Sequence, residues 1–147
     1  MEYRKISNRV YIRMDKGDEI LSGIRKVCRE LSIKSGTFQG IGACGKAAVA
    51  TFIPERQDFL HHECEGMLEM ISLLGNIVTD DEGELKEHAH GMFSQRKESG
   101  EIGYLGGHVV YAWVSYTAEL TLDIVPDGFI GHKADPFTGI DVWKLEG

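Results

Sequence analysis

The chain has 147 residues, 42% of them hydrophobic, with 16 Lys plus Arg against 23 Asp plus Glu and a formal net charge of −7. That length fits one domain, residues 1–147, able to bury its own core without metal or disulfide staples, so a bound metal would be functional rather than needed for folding. The acidic balance disfavours a broad grip on nucleic acid or an anionic membrane.

Taken in chain order, residues 9–14 alternate apolar and polar side chains and read as a strand, closed by Asp15-Lys16-Gly17. Ile20, Leu21, Ile24, Val27, Cys28 and Leu31 then recur at helical spacing, with Asp18 and Glu19 suited to the positive N-terminal end. This predicts one principal helix at about residues 18–32, with Cys28 on its buried face. From Ser35 onward the pattern is of short strands at 36–39, 47–53, 67–74, 85–93, 102–114, 116–125 and 140–145, separated by Gly and acidic turn residues. The expectation is an α/β fold of the α+β type, a mainly antiparallel sheet with one helix covering a face.

Cys28, Cys44 and Cys64 are odd in number and lack CxxC spacing, which points to neither a disulfide framework nor a thiolate zinc knuckle. No apolar run has bilayer length and no charged-then-apolar leader follows Met1, so the cytoplasm is the expected compartment and no membrane partner is expected.

Gly40-Ile41-Gly42-Ala43-Cys44-Gly45 matches GxGxxG, but a pyrophosphate site needs a helix next and residues 47–53 read as strand. The preferred reading is a Gly-rich turn that allows positive φ and close backbone approach, with Lys46 a cation at its end. Glu69 lies in an otherwise apolar strand. It is either a pocket carboxylate with a donor or cation beside it, or a solvent-facing residue opposite Lys or Arg.

The strongest signal is His88-Ala89-His90 with Gly106-Gly107-His108. In extended chain His88 and His90 point to one face. The midpoint of His90 and His108 is position 99, inside the polar, Gly-containing run 97–101, so a hairpin turning there sets His108 beside His90. A bulge at Gly106-Gly107 could shift that register by one. Three imidazoles bind zinc and leave a fourth tetrahedral position open; the bland alternative is three polar residues on a solvated face. In His61-His62-Glu63-Cys64, neighbouring side chains point to opposite faces, so surface polarity is expected there, and equally for His132 in a loop-like stretch. No Ser or Cys pairs with a His as a nucleophilic site on sequence grounds.

These blocks, in this order and over nearly the whole length, resemble the PPC domain, the plant and prokaryote conserved domain also found in plant AT-hook nuclear proteins. The resemblance rests on Gly40 to Ala43 before a strand, the block Gly66-Met67-Leu68-Glu69-Met70-Ile71-Ser72-Leu73-Leu74-Gly75, the two His blocks, and Ala118-Glu119-Leu120. It implies a homotrimer whose His88, His90 and His108 hold a metal, zinc being expected, with Glu69 a pocket residue near a subunit interface. Met67-Leu68 stands where plant members carry Arg-Phe, and the hairpin between the His blocks is longer than in plant members. No AT-hook is present, so nucleic acid is not an expected partner.

The function expected is therefore a homotrimeric zinc protein with a position open to a small-molecule ligand. Hydrolase-type chemistry would run by Lewis-acid polarisation or an activated water, with Glu69 as general base in preference to Glu87, which points to the opposite face. The alternative is a DNA-associated or protein-assembly module without catalysis.

Overall fold

The structure is a computed structural model and describes residues 1–145. Its elements are β1 (Glu2–Ile6), β2 (Arg9–Asp15), α1 (Ile20–Glu30), β3 (Gly36–Ile53), β4 (Asp58–Thr79), β5 (Leu85–Arg96), β6 (Ile102–Ile124), β7 (Gly131–Ala134) and β8 (Asp141–Lys144). Every strand pairing is antiparallel. The α/β label therefore fits loosely: among the described residues this is a mostly antiparallel β protein with a single short helix, which carries the chain from β2 across β6 to β3, while the later strands follow one another as hairpins.

The main sheet runs β1-β2-β6-β3-β4-β5, and β5 also pairs with β6. Length makes this possible. The first part of β6 (Ile102 to His108) pairs with β5, while residues from Thr117 to Asp123 pair with β2 along the same edge. The other edge of β6 pairs with β3. Strands β3, β4, β5 and β6 thus close a ring, while β1, paired only with β2, remains an edge strand.

The core follows the alternation of each strand. Val10, Ile12 and Met14 of β2, Ala118, Leu120 and Leu122 of β6, and Leu68, Met70 and Leu73 of β4 face inward. Against them α1 buries Ile20, Leu21, Gly23, Ile24, Val27 and Cys28. The helix is shorter than the 18–32 expected from spacing. Glu19 is its N-cap, with Oε1 accepting from Leu21 N at 3.1 Å and Oε2 from Ser22 N at 2.7 Å, so Glu19 caps the helix from outside it, while Asp18 Oδ2 accepts from Asp15 N at 2.8 Å.

Three readings of the strands change. Residues 36–53 form one strand rather than two flanking a turn, and none of Gly40, Gly42 and Gly45 has positive φ. They sit where β3 changes register by bulging, between Gly40 and Gly42 and between Cys44 and Lys46. Close backbone approach is their role: a Cβ on Gly42 would lie 2.6 Å from the Ala118 side chain and 2.7 Å from the Thr117 carbonyl. Likewise 102–124 is continuous, and β4 extends through His61 and His62 to Thr79. Finally, β1 and the short β7 were not anticipated.

Candidate metal centre

The hairpin β5–β6 turns through residues 97–101, where Lys97 N donates to Glu101 O at 2.8 Å and Gly100 N to Lys97 O at 2.9 Å. From that turn the ladder runs without a break from Arg96↔Ile102 to His90↔His108. The position-99 centre therefore holds, and no bulge intervenes at Gly106-Gly107. Instead, Gly107 takes a φ of +155°, which an L side chain rarely adopts, and a Cβ there would lie 2.8 Å from the Ala50 carbonyl. Glycine at that position lets β6 pass close to β3 immediately before His108.

His88 and His90 project together from β5, and His108 comes beside them from β6. His88 Nε2 stands 3.2 Å from His90 Nε2. One ligand nitrogen from each of the three rings lies within 4.8 Å of the others. The ring centroids are 5.0 Å (His88 to His108), 5.1 Å (His88 to His90) and 5.7 Å (His90 to His108) apart. Two nitrogens each 2.0–2.1 Å from a tetrahedral ion stand about 3.3 Å apart, so the first pair already has ligand spacing. Burial, and the neighbouring imidazole at His90, hold His88 below the usual histidine pKa, and burial with both neighbours does the same to His108. A metal needs that neutral form, so the donor set fits a divalent ion.

The other candidates lie elsewhere. Glu69 is exposed on β4, with Ala43 and Ser94 as ladder partners. His90 pairs with Leu74, five residues along the strand, which is about 16 Å at 3.3 Å per residue. Glu87 is turned to the helix side and pairs with Arg25 of α1. Its burial raises the carboxyl above the usual range. That ion pair anchors the residue next to His88. His61 and His62 are exposed on β4, outside the three-His group. His132 belongs to β7 rather than a loop and is half-buried, its Nδ1 3.8 Å from Asp141 Oδ1. Cys28 and Cys44 are buried thiols, each pushed up to about 12 by desolvation.

Sequence reasoning missed the residues that border the histidines. Phe59 lies 6.1 Å from His108 and 5.2 Å from Phe52, ring to ring. Asn76, the ladder partner of His88, accepts a 3.3 Å hydrogen bond from Trp143 Nε1 of β8. The midpoint argument used for the β5–β6 hairpin, applied to the turn at residues 54–57, would have paired His61 with Ala50, but the pairing of Ala50 with His108 that brings Phe59 to the site lies in a β3–β6 ladder with three register shifts. A groove of about 720 Å³ runs over Tyr3, Tyr11, Gln39, Ile41, Leu74 and Thr121 on the outer face of the sheet, reaching the ladder partner of His90 at Leu74. No helix among the described residues is long and apolar enough to cross a membrane.

The sequence pattern of the Plants and Prokaryotes Conserved (PCC) domain matches residues 1–125. The structure is similar to that of a presumptive DNA-binding protein of Bacteroides thetaiotaomicron, at TM-score 0.87 and 24% identity over 98% of this chain and 96% of that one. A plant- and prokaryote-conserved (PPC) protein of Pyrococcus horikoshii is similar at TM-score 0.78 and 26% identity, over 99% and 95%. A metal-containing protein of Archaeoglobus fulgidus is similar at 0.79 and 24%, over 97% and 96%. No curated protein sequence matches.

Proposed function

The chain belongs to the Plants and Prokaryotes Conserved domain family, and from that premise we propose that it is a cytoplasmic, homotrimeric metal-binding protein. His88, His90 and His108 hold the ion, zinc by preference, and leave one coordination position for a small ligand. The observation that carries this reading is the meeting of three imidazole nitrogens within 4.8 Å at the end of the β5–β6 ladder. The metal-containing protein of similar structure supports it. Imidazole donors suit zinc among the common divalent ions, though they also accept copper, iron and nickel, so metal identity is part of the test.

An ion held there supplies Lewis-acid polarisation of a ligand oxygen. This chain's own residues fix the rings. Gly107 lets His108 approach, and the Arg25–Glu87 pair ties β5 to the helix beside His88. Glu69 is too far along β4 to act as a base on its own chain's site, so that role depends on the trimer bringing it to a neighbouring copy. Tyr11, Ile41, Ile71, Leu74 and Met92, all well exposed on the outer side of the sheet, supply apolar surface for such an assembly.

Zinc analysis of untagged protein is expected to give about one ion per chain, lost in His90→Ala. Native protein purified without any metal overturns the proposal. The second reading, a DNA-associated module, draws on the Bacteroides neighbour. It requires duplex binding at physiological salt with a steep salt slope, against a net charge of −7.

A further inference from the structure

Around the ring, one outward-facing row of residues runs Leu74 of β4, His90 of β5, His108 of β6, Ala50 of β3 and His61, where β4 returns. Ala50 offers only a methyl group between His108 and the strand carrying His61. Phe59 lies two residues from His61 and so shares its face. Across that small residue its ring comes within 6.1 Å of His108, backed by Phe52 at 5.2 Å. Both rings remain open to solvent, 41% and 38% exposed, and they lie apart from the Leu74 side assigned above to the assembly. The three imidazoles are thus bordered on the Phe59 side by uncovered apolar surface.

Charge narrows the ligand further. Three neutral imidazoles bring no negative charge, so a dication among them attracts an anion. The ladder partners of the triad are Asn76, Leu74 and Ala50, none of them cationic. Lys86, the next cation along β5, is engaged by Asp80 at 3.5 Å. A phosphate would find no lysine or arginine in that row to share its charge, whereas a single carboxylate needs none.

Resting on the metal-site reading above, we propose that the open position takes a small monocarboxylate bearing an apolar or planar group, and that Phe59 is the residue selecting that group. The test uses the full chain loaded with cobalt(II), whose visible absorption reports metal binding and the arrival of an anion, titrated in turn with acetate, benzoate and inorganic phosphate. Benzoate is expected to bind roughly tenfold tighter than acetate, in line with covering some tens of Å² of apolar surface. In Phe59→Ala the ratio falls to within about twofold with cobalt uptake unchanged, and Phe59→Leu lies between. Equal binding of benzoate and acetate, a preference that survives Phe59→Ala, or phosphate binding tighter than benzoate overturns the inference while leaving the metal site standing. Failure to take up cobalt in a manner abolished by His90→Ala overturns the metal-site reading and this inference with it.

Discussion

His88 and His108 owe their depressed pKa first to burial, and that fixes the direction of their pH dependence. An imidazole whose folded pKa lies below the unfolded value near 6.5 costs nothing above that pH. As pH falls through 6.5 toward the folded value, the unfolded chain binds more protons and the native state loses stability. Metal-free protein should therefore hold its Tm between pH 8 and 7 and lose it below about 6.5, less steeply in a His88→Gln, His108→Gln variant; differential scanning calorimetry of the two proteins reads this. Metal uptake should weaken over the same range as protons compete for the rings. The cysteines give a second check at this scale. At pH 8 the thiols of Cys28 and Cys44, buried and pushed up to about 12, stay protonated and covered, so a thiol reagent should label only half-buried Cys64 in native protein and all three on unfolding. The buried setting of Cys28 was legible from helical spacing, whereas for Cys44, inside a strand with two bulges, no periodicity carried the information.

Strands β4 and β5 hold the histidines in register through Gly75. A Cβ on that residue would meet the Phe38 ring at 2.3 Å and the His88 carbonyl at 2.6 Å. Gly75→Val should destabilise the protein by about 1–3 kcal/mol in urea unfolding and weaken metal uptake as well, because relief of the clash moves the backbone of His88. The cap of α1 is an independent case: Glu19 Oε1 also accepts from Ala112 N of β6 at 3.3 Å, tying the helix to the sheet. Glu19→Ala should cost about 1–2 kcal/mol without altering metal stoichiometry. Short-range pattern located both His strands and the turn between them, since alternation and a polar, Gly-containing turn are local signals. It failed at Gly40 to Gly45, because glycine in a bulged strand crossing close to Ala118 looks in sequence like glycine in a turn.

For the whole molecule, the apolar outer face around Tyr11, Ile41 and Leu74 leads to an expected mass of three chains by light scattering, with Leu74→Glu shifting the protein toward monomer; a wild-type monomer at micromolar concentration would remove the assembly from the proposal. At this scale the division between sequence and structure is plain. The chain's own pattern determined its antiparallel character, its one helix and the convergence of His88, His90 and His108, because alternation and hairpin centring act between near neighbours. Only the tertiary structure decided that β3, β4, β5 and β6 close a ring, that Glu69 lies about 16 Å along β4 from the ladder partner of its own chain's His90, and that Phe59 stands beside His108. Those relations join residues whose neighbours in space are set by bulges and by the curvature of long strands. A single bulge displaces the register of everything beyond it, and spacing along the chain carries no trace of that displacement.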